Sequence, residues 1–239
     1  MARVTDVFMS GTVGNLVLYR RMDKNCVRLK REGIQQTVAT KIRSENFGIA
    51  SRVSSHLRKG LYAAIPAPKN RSMQSRFSGA IAKWLRLCDV DTLPSCDAAP
   101  YVTGFQFTDG DSFKERFRVP ITVSRTESNL ITVGVNDFIP VNNLVAPAGT
   151  VMVEVVIAVS ACMLKTGIPI GSGVQRIQVP YNANAITAQS LHFKIPLPAG
   201  SLVITAAWLQ YFVLKNNRIS RSENPAFMPA GVINARYVG

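Results

Sequence analysis

Two long stretches with almost no charge constrain this chain more than any other feature. Val151–Leu164 holds a single charged residue, Glu154, and Ser201–Lys215 holds only its terminal lysine. Each follows a Pro-Ala-Gly turn, Pro147-Ala-Gly-Thr150 and Pro198-Ala-Gly-Ser201, and the two turns lie 51 residues apart. Runs of this kind suit strands in the middle of a sheet covered on both faces. The cover can come from a partner sheet plus helices, or from another subunit.

From about Tyr101 onward the apolar pattern has period two. Phe117, Val119, Ile121 and Val123 alternate with Arg118 and Thr122, while Pro120 demotes that strand to an edge or a bulge. Leu130–Val135, Val174–Val179, Ser190–Leu197 and Val232–Tyr237 are further candidates, punctuated by Gly, Pro and Asn turns. Seven or so strands predict an antiparallel β-sandwich of immunoglobulin-like or jelly-roll type over residues 99–239.

Residues 36–98 read differently. Ile42, Ile49, Val53, Leu57 and Leu61 recur at helical spacing, with Lys41, Arg43, Arg52, Arg58 and Lys59 mostly off that stripe. After the breaker Ile65-Pro-Ala-Pro68, Asn70 is placed to cap a second helix whose stripe is Met73, Phe77, Ile81, Trp84, Leu85 and Cys88. The segment is expected to be a basic helical hairpin. Residues 1–35 form an N-terminal arm, with β-prone runs Val13–Tyr19 and Cys26–Lys30 around the polar turn Arg20–Asn25. A two-stranded hairpin is marginal alone, so Val13, Leu16, Leu18 and Val27 are candidate subunit-interface residues. The fold class expected is α+β.

Charge is divided as sharply as periodicity. The first 90 residues carry 17 Lys+Arg against 5 Asp+Glu and the remaining 149 carry 11 against 9, for a net +14. A positive field of that size attracts nucleic acid, anionic lipid or acidic protein surfaces. Arg76, Lys83 and Arg86, on the outer face of the second helix, are the candidate contacts for nucleic acid or an acidic surface.

Chemistry is sparse. His56 and His192 have no neighbouring ligand pattern, and Cys26, Cys88, Cys96 and Cys162 match no zinc spacing. Cys162 sits in an apolar run and reads as a buried thiol. Cys88 and Cys96 flank a turn that a disulfide can close, although nothing marks a secreted chain. Gly11-Thr-Val-Gly14 and Gly171-Ser-Gly173 lack the lysine and the strand-to-helix context of a phosphate loop. Asp109 and Asp111 read as a hairpin turn rather than a calcium loop. The residues therefore point to no catalytic site, no cofactor, no metal and no small-molecule substrate.

Gly11, Gly14, Asn15, Val17 and Tyr19, then Thr40, Asn46-Phe-Gly48 and Ala50, then Leu57-Arg58 and Leu61, stand in an order with Phe138-Ile-Pro140, Asn142-Asn143 and Val145-Ala-Pro-Ala-Gly-Thr150. Together with Gln210-Tyr-Phe212 and Lys215-Asn-Asn217, this order resembles proteins of about this length found in Bacteroidota. The resemblance implies the architecture, an N-terminal hairpin followed by a C-terminal β-sandwich, and brings no established activity.

The expected function is that of a non-enzymatic structural protein that self-assembles into a filament, tube or virion-like shell. The competing expectation is a nucleic-acid-binding protein that uses the basic half. With no signal peptide and no apolar run of the ~20 residues a membrane span needs, synthesis as a soluble cytoplasmic chain is expected, with release as an assembled particle compatible with it. The partner expected is the chain itself.

Overall fold

The computed structural model describes residues 3–5, 8–22, 24–30, 33, 36–62, 71–87, 99–110, 112–126 and 129–239. The fold is α+β with antiparallel sheets, and the chain divides into two compact units, Met1–Ile42 and Arg43–Gly239.

The first unit is a four-stranded antiparallel meander of β1 (Arg3–Thr5), β2 (Phe8–Val13), β3 (Leu16–Arg21) and β4 (Lys24–Leu29). The expected strand Val13–Tyr19 is split. Gly14, at φ 56°, takes the first position of a two-residue turn between paired Val13 and Leu16, where glycine is favoured in hairpins of this type. Arg20 with Asn25 and Arg21 with Lys24 are themselves paired, so four of the six residues expected in the second turn belong to the strands.

Both helices form where the stripes place them: α1 spans Val38–Tyr62 and α2 spans Arg71–Leu85. Val53, Leu57 and Leu61 of the first stripe are buried, whereas Ile42 is 52% exposed, so the apolar face starts only at Ile49. Met73, Phe77, Ile81, Trp84 and Leu85 are all buried. Asn70 and the cysteines Cys88 and Cys96 lie outside the described residues, as does Asp111.

A single-turn helix, α3 (Phe113–Arg116), precedes β5 (Ile121–Thr126) and β6 (Leu130–Val135). The alternation at Phe117 and Val119 therefore is not a strand. A capping box starts the helix: the Ser112 hydroxyl accepts from the Glu115 amide while the Glu115 carboxylate accepts from the Ser112 amide. Asp109 lies in bends rather than in a hairpin turn. Next come α4 (Pro140–Asn143), β7 (Thr150–Met163), β8 (Pro169–Pro180), β9 (Gln189–Lys194), β10 (Ser201–Lys215), β11 (Arg218–Arg221) and β12 (Ala230–Val238).

The two Pro-Ala-Gly sequences adopt one geometry. Gly149 and Gly200 sit at φ 77° and 85°, and the amides of Thr150 and Ser201 donate to the carbonyls of Pro147 and Pro198 at 3.3 and 3.2 Å. These are type II turns, which require positive φ at the third position. The hydroxyls of Thr150 and Ser201 donate to the same proline carbonyls, and each turn opens directly into its long strand.

Those strands, β7 and β10, pair from Thr150 with Val213 to Met163 with Ser201. Around them the sheet runs β11-β10-β7-β8, with β12 also on β10, while β5-β6-β9 form a second sheet. One face of the central pair, with Val156, Ala158, Ile204, Ala206 and Trp208, belongs to the core cluster that contains the stripes of α1 and α2. The other face, with Val153, Val155, Ile157, Leu209 and Tyr211, shares a core cluster with Ile131, Val133 and Phe193 of the second sheet. The apolar runs are thus covered on both sides by their own chain.

Candidate functional site

Of the three cations expected to meet an outside partner on α2, all exposed, Arg76 and Lys83 also have partners within the chain. Arg76 ion-pairs with Asp109 at 2.8 Å, donates to the Gln106 carbonyl at 3.4 Å, and lies 5.7 Å from the Phe105 ring centroid. The Lys83 ammonium sits 3.9 Å above the ring of Tyr101. Both partners belong to segment 99–110, whose backbone is fastened to β12: Ala99 donates to Ala235, Gly104 to Val232 and Phe107 to Ala230 at 2.7–2.8 Å. Phe77 of α2 meets Phe105 and Phe107 at centroid distances of 4.9 and 5.4 Å. The helix therefore uses its basic edge and its aromatic stripe to hold one loop. Arg86 is exposed, with no side-chain partner among the described residues.

Arg58, read as an off-stripe cation, is buried in α1, where its guanidinium donates to the Tyr62 hydroxyl at 2.6 Å and to the Ser54 hydroxyl at 3.4 Å. Its i±4 partners on the same helix explain how a charged group is tolerated there.

The interface candidates fare differently. In an antiparallel ladder, residues directly opposite each other project on one face. The pairs Val13 with Leu16, Leu16 with Leu29, and Leu18 with Val27 place all four candidates, together with Leu29, on a single face of the N-terminal sheet. Val13, Leu16, Val27 and Leu29 are 54%, 42%, 57% and 70% exposed. The opposite face carries Thr12, Val17, Tyr19, Arg21, Lys24, Cys26 and Arg28. Sequence reading missed this second face, because the alternation is legible only once the Gly14 turn is placed.

A cavity of about 360 Å³ opens beside α3, walled by Phe113, Phe117, Val119, Pro120, Ile121 and Ile233, with Lys114 and Arg118 beside it. It contains no nucleophile and no paired acid and base. His192 accepts or donates at Nδ1 with the Thr132 hydroxyl at 3.1 Å on an exposed strand, and His56 is half-buried in α1. Burial pushes the Cys162 thiol up to about 12, so it is a poor nucleophile at neutral pH. Tyr211 is raised as well, chiefly by burial, and its hydroxyl donates to the Val145 carbonyl at 2.9 Å. Among the described residues, no group of three or more His, Cys, Asp or Glu could hold a metal ion, and no helix is long and apolar enough to cross a membrane.

No family model matches the chain, and no curated protein matches it. Among solved structures, it is similar to a protein from Archaeoglobus fulgidus at 8% identity, over 51% of this chain and 94% of that one, with a TM-score of 0.23. A likeness that weak carries no argument about fold or function.

Proposed function

We propose that this chain is a non-enzymatic structural subunit that assembles with copies of itself into a homopolymer. In this reading residues 99–239 are an antiparallel sandwich of immunoglobulin-like or jelly-roll type and form the body of the subunit. Support for the sandwich comes from the core cluster that draws Val153, Val155 and Ile157 from one sheet and Ile131, Val133 and Phe193 from the other.

The observation that carries the assembly reading is the apolar face of Val13, Leu16, Leu18, Val27 and Leu29, exposed at all but the half-buried Leu18. Covering it with a second copy is worth at most ~1.5–3 kcal/mol per side chain. Its size sets the kind of assembly. Strands of three, six, six and six residues, ~4.8 Å apart and ~3.4 Å per residue, give a plane on the order of 350 Å². A standard interface buries about 800 Å² per partner, so one such contact makes a weak pair. An object held by several contacts per subunit fits that arithmetic better than an isolated dimer.

Sedimentation velocity of the full chain, with negative-stain microscopy, tests the proposal. The wild type is expected to sediment as oligomers, and the double variant Leu16→Lys/Val27→Lys as a folded species of lower mass. A wild type that stays monomeric at every concentration reached, with no particles in stain, overturns it.

A further inference from the structure

The opposite face of the same sheet has the composition of a polyanion contact. Tyr19 pairs with Cys26, Arg21 with Lys24, and Arg28 with Val17, so three cations and one aromatic ring project together. All four side chains are exposed. Like charges directly opposite on a sheet destabilise it, and Arg21 stands directly across from Lys24. Among the described residues neither has an ion-pair partner, nor does Arg28, whose guanidinium lies 6.0 Å from the Tyr19 ring centroid. Arg21 and Lys24 are therefore a like-charged cross-strand pair, which a bound anion would relieve.

We propose that Tyr19, Arg21, Lys24 and Arg28 form a contact surface for single-stranded nucleic acid, with Tyr19 as a base-stacking platform and the cations on the backbone phosphates. A positive surface with an exposed aromatic ring is the arrangement by which single strands are held without sequence preference. An anionic membrane is the poorer occupant. Of the aliphatic residues of β3 and β4 only Val17 shares the cation face, so a bilayer gripped by these cations leaves Val13, Leu16, Val27 and Leu29 pointing away from lipid. The surface is independent of the assembly reading, since it uses the face that assembly leaves open.

The experiment is fluorescence anisotropy of the full chain with a labelled oligothymidylate of about 20 nucleotides, titrated over a range of salt. Three phosphate contacts are expected to give a slope of log K against log salt of about −2. The triple variant Arg21→Gln/Lys24→Gln/Arg28→Gln should flatten that slope. Tyr19→Leu should weaken binding on the order of tenfold and leave the slope unchanged. Arg76→Gln/Lys83→Gln should change neither. The single variant Arg28→Glu provides a second test if the triple variant loses its native circular dichroism, and it should weaken binding with fold intact. Absence of binding, an unchanged slope in the triple variant, or binding to phosphatidylserine vesicles but not to the oligonucleotide overturns the proposal.

Discussion

The N-terminal sheet and the central pair β7/β10 are both rich in apolar β-formers, yet they treat those residues in opposite ways. Val155, Val156, Ile157, Ala158 and Val159 follow one another along β7 and all are at most 1% exposed, because successive side chains enter two different cores. On β3 and β4, Leu16, Val27 and Leu29 keep between 42% and 70% of their surface. An apolar strand is therefore not in itself evidence of a missing partner. The long strands, whose sequence allows a cover from their own chain or from a neighbouring subunit, are satisfied within the chain. The argument for assembly rests on the short ones.

Substitutions that separate buried from exposed apolar residues give the largest expected contrast. Trp208→Ala in β10 removes a side chain that is 1% exposed and should cost ~3–5 kcal/mol of unfolding free energy in urea. Trp208→Phe should cost less, because the indole Nε1 is buried without a hydrogen-bond partner among the described residues and the phenyl ring has no such donor. Leu29→Ala, at a site 70% exposed, should stay within ~0.5 kcal/mol of wild type in dilute solution. If Leu29→Ala shifts the urea midpoint as far as Trp208→Ala, the two regions do not differ in the way described.

An intermediate effect tests how closely the helices cover the central sheet. Gly60, in the last turn of α1, has no room for a side chain: an added Cβ would collide with the Ser160 hydroxyl and approach Ser172 Cβ to 3.1 Å. Those serines are on β7 and β8, so the helix backbone lies directly on the sheet. Gly60→Ala should destabilise by ~1–3 kcal/mol despite alanine's higher helix propensity. Gly48→Ala in the same helix, where a Cβ meets nothing within 4 Å, should stabilise by up to about 1 kcal/mol. Equal responses at the two positions would mean that α1 does not rest on β7 and β8.

What could be read from the residues follows from how local each determinant is. The bounds of β10, Ser201–Lys215, are legible to the residue because a type II turn opens the strand and the Asn216-Asn217 turn closes it. Those two asparagines, at φ 49° and 59°, also announce β11, which the period-two reading passed over. The split at Gly14 was hidden by apolar residues on both sides of the turn. The helix α3 was hidden by the accidental alternation of Phe117 and Val119, although its capping box, Ser112 with Glu115, was there to be read. At the candidate site, the shared face of Val13, Leu16, Leu18 and Val27 follows from spacing once the turns are known. The fate of Arg76 and Lys83 does not. It depends on segment 99–110 docking onto β12, more than 120 residues away in sequence, and no local pattern encodes that.

The smallest expected effect concerns that docking and sharpens the contrast between the two basic surfaces. Arg76 and Asp109 are 39% and 71% exposed, so their 2.8 Å ion pair is well solvated and screened by salt. A double-mutant cycle of Arg76→Gln with Asp109→Asn should return a coupling of ~0.2–1 kcal/mol that shrinks as salt is added. Lys83→Gln should cost a similar ~0.5–1 kcal/mol, since the ammonium 3.9 Å above the Tyr101 ring loses its attraction to the π-face. On the N-terminal sheet the sign reverses. Replacing Lys24 by Gln relieves the opposition with Arg21, and should leave the chain's stability unchanged or raise it by a few tenths of a kcal/mol. Cations that hold the fold lose stability when neutralised, whereas cations kept for a partner do not. A loss at Lys24 as large as that at Arg76 would place both surfaces in the first class and remove the reason to look for an anion on the sheet.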